Sequence, residues 1–175
     1  MEKRGSTFTA ISHASVQRAL DLNNRHAMEL SLLTLDGFEK LIARANYAKW
    51  CPGETGFLIA LDERADYPNP NFEWFRARFA QFVYIDRVVV DEAHRGQGLA
   101  RRLYEDLFKT IDRSLVVCEV NLVPPNPASD AFSMRAWDSR PSGRHCWRTG
   151  RRPSAISENT STLAKRGPTR SRSGR

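Results

Sequence analysis

The sequence predicts an α/β domain with a mixed sheet and helices on both faces, and three observations predict it. Phe82–Val90, FVYIDRVVV, is β-branched and aromatic, the composition of a strand. Behind it, Leu99, Leu103, Leu107 and Ile111 recur every four residues with Ala100, Tyr104 and Phe108 alongside, which predicts a long amphipathic helix opening near Gly98. Ser114–Leu122, SLVVCEVNL, then reads as a second buried strand. Strand, helix and strand in this order imply a parallel pair joined by a right-handed crossover.

The remaining elements follow in chain order. Ser12–Ala27 has helical spacing, with Val16 and Leu20 on one stripe that can extend to Met28. Thr34 or Asp36 can cap a second helix, whose apolar face is Phe38, Leu41, Ile42 and Ala45. Gly56–Leu61 reads as a strand after a Pro-Gly turn. DERADYPNPNFEWFRARFAQ is a long connection whose two prolines argue against a helix through Tyr67–Asn71. No internal repeat is visible.

Composition narrows the function classes. The 175 residues, 41% hydrophobic and 27% charged, suit one soluble domain with a tail. No apolar run approaches the ~20 residues that span a bilayer, and the N-terminus lacks an apolar core of a secretory signal, so no membrane partner is expected. Cys51, Cys118 and Cys146 are odd in number and widely spaced, which suggests reduced thiols, a cytoplasmic location and no metal pattern. The net charge of +7 is unevenly placed: ten Arg and one Lys against two acids give Ser133–Arg175 a net +9 and leave −2 on the first 132 residues. The basic character belongs to the tail and says little about the domain's partners.

The stretch that carries chemistry is VVVDEAHRGQGLARRL. A strand turns into a helix through Arg95, Gly96, Gln97, Gly98, Leu99 and Ala100. Glycine lets backbone approach a ligand closely, and the first amides of a helix, at the positive end of its dipole, form an anion site. A plain tight turn is the bland alternative. A dinucleotide-binding turn is another, with Glu119 at the spacing of a ribose-binding acid, but five residues separate Val90 from the first glycine and Arg101 stands where the third glycine belongs.

The pattern R-x-x-G-x-A, with V-V-V five residues earlier, resembles the GCN5-related N-acetyltransferase (GNAT) superfamily, and the resemblance runs from about Ala14 to Phe132. It implies a GNAT-type mixed sheet and transfer of an acetyl group from acetyl-CoA to a small-molecule or peptide amine, with no metal. It further implies that backbone amides of Gln97, Gly98, Ala100 and Arg101 hold the pyrophosphate, within a loop that includes Arg95, Gly96 and Leu99. Val88, Val89 and Val90 would pair with the pantetheine arm, and Val116–Asn121 would splay away to leave a wedge for the thioester. Asp86 and Glu119 are candidate bases, with Tyr84 and Asn121 as polar neighbours. Each acid can equally be paired with an arginine such as Arg87 or Arg113. Cys118 reads most simply as a buried core thiol. Asn23, Asn24 and His26 could line the acceptor site or form a polar helix end. Tyr67, Phe72, Trp74 and Phe75 could form an aromatic lid, with core packing expected for at least two of them.

After Phe132 the resemblance fails. The family continues with a helix ending in Gly-Phe and two more strands, and neither appears in this sequence. Met134 and Trp137 have single codons, so the shifted reading frame is partly forced. It can read HARLGFAAVGPALLEDGAKTVRYLGKHLD, which supplies the missing helix with its Leu-Gly-Phe end. The expectation is a domain over residues 1–132 that lacks its last helix and two strands, and an out-of-frame, disordered tail over 133–175. The missing strands would expose a sheet edge and favour a homodimer. The alternative is a selected basic tail that binds nucleic acid by charge and stacking.

Overall fold

In the computed structural model, residues 8–113 and 115–118 are described, apart from the side chains of Met28 and Glu29. Glu119, Asn121, the second half of the expected strand and the whole tail after Phe132 lie outside them, as does the place of Met28 on its stripe.

Five strands form one sheet in the order β1 (Thr9–Ala10), β2 (Tyr47–Trp50), β3 (Gly56–Asp62), β4 (Val83–Val90) and β5 (Val116–Cys118). The first three neighbouring pairs are antiparallel, whereas β4 and β5 are parallel, as the strand–helix–strand order requires. The connection between the last two is the helix α5 (Leu99–Thr110). Leu103 and Leu107 are buried on one sheet face against Leu58, Ala60, Val83, Ile85 and Val116. Each such side chain contributes roughly 1.5–3 kcal/mol through removal from water.

The opposite face is covered by α1 (Val16–Arg25) and α3 (Leu35–Arg44). Val16, Ala19, Leu20 and Asn23 are buried at the spacing of one helical stripe. The helix is shorter than Ser12–Ala27: it closes at His26, whose backbone N–H donates to the carbonyls of Asn23 and Asn24, and a one-turn helix α2 (Ala27–Leu30) follows. Thr34, one of the two expected caps, caps α3 by accepting the Gly37 amide at 3.2 Å, while Asp36 pairs with Lys40.

Two elements depart from expectation. Tyr47–Trp50 is a strand although its four residues show no alternation, because both its ends are buried and β3 supplies its hydrogen-bonding partner. In the long connection, α4 (Pro70–Arg76) begins at Pro70 and includes Asn71. Proline is compatible with the first helical position, where its missing N–H has no partner anyway, and the Asn69 side chain caps the amides of Asn71 and Phe72.

Candidate functional site

The anion loop lies where β4 ends. Asp91 accepts the Ala93 amide at 3.0 Å to cap a 3-10 turn over Glu92–His94, and its own amide donates to the Thr55 carbonyl at 2.9 Å. Gly96 and Gly98 then take φ of +77° and +75°, the left-handed region closed to most side chains. Open space surrounds both at the position of a Cβ, so glycine serves backbone conformation here rather than clearance. Gly98 is the N-cap of α5, and Arg102 N–H donates to its carbonyl at 3.1 Å. The amides of Leu99, Ala100 and Arg101 therefore precede the helical ladder and point out of the helix end.

Arg95 turns back from this loop. Its Nε donates to the Val90 carbonyl at 3.3 Å, and its Nη2 lies 3.1 Å from His26 Nδ1. A guanidinium can only donate, so this His26 nitrogen is the acceptor. With the Arg25–Asp91 ion pair at 2.9 Å, the end of α1 is tied to the loop by two contacts.

Along β4, Val88, Val89 and Val90 pair on one edge with Leu58, Phe57 and Gly56. On the other edge the recorded pairing with β5 covers Val83, Tyr84 and Ile85 alone, among the described residues. Asp86 stands at the boundary. It is the extra residue of a β-bulge, since Ile59 pairs with Arg87 and Ala60 with Ile85. The bulge reverses the alternation, placing Arg87 on the α1 face beside Tyr84 and Val89, which belong to that face's core.

Asp86 and Arg87 form a buried ion pair, Nε to Oδ2 at 3.1 Å, with side chains 6% and 7% exposed. The Tyr67 hydroxyl donates to Asp86 Oδ1 at 2.7 Å. Arg87 Nη1 reaches Asn23 Oδ1 at 2.8 Å and the carbonyls of Leu30 and Ser31 at 2.7 and 3.2 Å. Burial pushes the Asp86 carboxyl up, and the opposing pull of Arg87 and the Tyr67 hydroxyl does not cancel it. Burial and the Asp86 charge raise the Tyr67 hydroxyl, which keeps it a donor. Ser31 has φ +72° and ψ 141°, a strained conformation for a non-glycine residue that costs roughly 1–3 kcal/mol.

Of the expected acid–arginine pairings, Asp86 takes Arg87, whereas Arg113 pairs with Glu63 at 3.0 Å. Asn24 exchanges two hydrogen bonds with the backbone of Leu33, at 2.9 and 3.1 Å, and fixes the turn after α2. Tyr84, Phe72 and Phe75 pack in the aromatic core, and Cys118 is a buried thiol. Trp74 carries Arg78 over its ring at 3.9 Å. Sequence reasoning missed the joint role of Tyr67, Asn23 and Arg87. The one signal available was an Asp-Arg pair inside an otherwise apolar strand.

Among the described residues, no helix is long and apolar enough to cross a membrane, and no cluster of three His, Cys, Asp or Glu is placed to hold a metal ion. No curated protein matches the sequence. Among solved structures, the chain is similar to the crystal structure of ribosomal-protein-alanine N-acetyltransferase from Brucella melitensis biovar Abortus 2308, at 16% identity and a TM-score of 0.38, over 92% of this chain and 97% of that one. The acetyltransferase (GNAT) family profile matches residues 39–136, which take in the bulge, the glycine loop and α5. That match spans more than half of the 175 residues, and the chain belongs to the GNAT acetyltransferase family.

Proposed function

We propose that the domain transfers an acetyl group from acetyl-CoA to a primary amine. The observation that carries this reading is the opening of α5: two glycines with left-handed backbone, then three amides ahead of the helical ladder, directly after β4. Such an end attracts a diphosphate through main-chain donors and the helix dipole. Gln97, Gly98, Ala100 and Arg101 would supply the amides, with Gly96 and Leu99 shaping the turn and Arg95 bracing it. The edge of Val88–Val90 that faces away from β3 would take the pantetheine arm.

The reaction balances without a covalent enzyme intermediate. The amine gives a proton to a base, its nitrogen attacks the thioester carbonyl, and the C–S bond breaks. The CoA sulfur leaves as thiolate and takes up a proton. Asp86 is our base of choice, because it stands at the β4 bulge, next to the last recorded pair with β5, and burial raises its proton affinity. Tyr84, on the same strand, is a further candidate, and Glu119 and Asn121, outside the described residues, stay candidates from the sequence alone. We also propose that the reading frame shifts near Phe132, so that the chain binds cofactor better than it turns over.

Calorimetry with acetyl-CoA tests binding. Release of CoA thiol in the presence of spermidine, an aminoglycoside and a peptide with a free N-terminus tests transfer. The expected result is binding by this chain, and turnover that rises in a version carrying the shifted-frame C-terminus. Absence of acetyl-CoA binding by both versions would overturn the reading. Equal turnover would overturn the account of the tail.

A further inference from the structure

The midpoint of β4 is a costly place for charge. Its neighbours on the strand are Tyr84, Ile85, Val88 and Val89, yet Asp86 and Arg87 are both buried there and the ladder is broken by a bulge to seat them. Buried ion pairs are weak sources of stability, and apolar residues of similar volume commonly do as well. What this pair does that apolar residues cannot is fix direction. One guanidinium reaches four separate oxygens: the Asp86 carboxylate, the Asn23 side chain near the end of α1, and the carbonyls of Leu30 and Ser31 after α2. Asn23 Nδ2 also donates to the Ser31 carbonyl at 3.2 Å, so the strained Ser31 is held from two sides. Only a planar, multiply donating side chain fits this set, and lysine cannot replace it.

We propose that Arg87 is a positioning residue that holds the Asp86 carboxylate and the Leu30–Ser31 backbone in one frame, fixing where the proposed base stands relative to the segment after α2. This rests on the acetyl-transfer reading for its purpose but not for its geometry. The frame has three anchors: Asn23 on α1, the Leu30–Ser31 backbone, and the β4 bulge. Tyr67 supplies the remaining bond to Asp86 from the connection between β3 and α4. Tyr67 and Arg87 are the titratable groups that touch the Asp86 carboxylate.

Two variants of the full chain separate its two tasks, read by amide hydrogen exchange and by carbon-13 titration of the Asp86 carboxyl. Arg87→Met removes both charge and donors. Exchange at Ser31 should rise about tenfold or more while β3 amides stay protected. The Asp86 midpoint should move up by about one pH unit or more. Arg87→Lys keeps a charge near Asp86 but cannot span the oxygens. It should restore much of the Asp86 midpoint and leave Ser31 unprotected. Wild-type exchange at Ser31 in folded Arg87→Lys overturns the proposal, and this variant decides alone if Arg87→Met does not fold. If both effects appear in a protein that acetylates no amine, the frame stands and the acetyl-transfer reading falls.

Discussion

Two parts of one strand-to-helix path are built in opposite ways. At the end of β4, the glycine loop is exposed, made of main chain, and carries no buried charge. At the middle of β4, the bulge is buried, made of side chains, and draws partners from three distant segments. The loop needs only a backbone conformation, so two glycines within three residues write it into the sequence. The bulge needs a tertiary frame. The difference teaches where each region should fail: the loop through φ, the bulge through unpaired charge.

The largest effect should come from the bulge. Arg87→Met leaves the Asp86 carboxylate buried beside Tyr67 alone, and breaking a buried pair in this way costs about 3–5 kcal/mol. Urea denaturation should show that loss, together with a shallower dependence on pH when Asp86→Asn is added. A loss under about 1 kcal/mol would mean that water reaches the pair and that it is not structural.

Next comes the wall that positions Val89 and Val90. A Cβ on Gly56 would lie 2.5 Å from the Val89 carbonyl oxygen and 3.1 Å from the Val90 Cα, both backbone atoms that cannot swing aside. Gly56→Ala should destabilise by roughly 1–3 kcal/mol and displace the strand that leads into the loop. Thermal melting tests the first part and acetyl-CoA calorimetry the second.

The loop variants should be milder for the fold and sharper for the ligand. Gly98→Val meets no atom within 4 Å, but its φ of +75° is strained for valine, by roughly 1–2 kcal/mol. The loop should relax to another conformation, and calorimetry should show weakened acetyl-CoA binding with little change in melting temperature. Arg95→Ala should weaken binding less, because the proposed donors are main-chain amides. Equal losses for the two variants would move the anion's principal partner to the Arg95 side chain.

The smallest effect is a pH signature. Burial raises the Glu63 carboxyl, but Arg113 and the Phe82 amide outweigh it, so the net shift is downward. A depressed carboxyl contributes stability that is present above the ordinary glutamate range, about pH 4.3, and is lost as pH falls through the folded value. Asp86 has the opposite sign: its contribution is greatest at low pH and fades as pH rises through its raised value. Glu63→Gln should therefore lower stability near neutral pH and converge with the wild type in acid. Convergence at high pH instead would contradict the assignment.

What the sequence disclosed follows the same division. β3 and β4 were legible as short apolar, β-branched runs, β3 after a Pro-Gly turn, and α5 as a one-sided apolar stripe opened by a glycine. Tyr47–Trp50 was not, because a four-residue strand takes its identity from β3. Pro70 looked like a barrier and is a helix start, since the deciding group is the Asn69 side chain one residue earlier. Asp86 and Arg87 were legible as a pair, but Tyr67, Asn23 and the Leu30 carbonyl come from 19, 64 and 57 residues away. No local pattern records those distances, and a bulge that reverses the alternation hides which face each residue joins.

The central claim is that acetyl-CoA docks on the main chain that opens α5. Amide chemical shifts recorded during an acetyl-CoA titration test it most directly. The account predicts that the largest changes fall on Gln97, Gly98, Ala100 and Arg101, with a second group at Val88–Val90. Saturable binding that leaves these amides unmoved, or moves another surface instead, would contradict it.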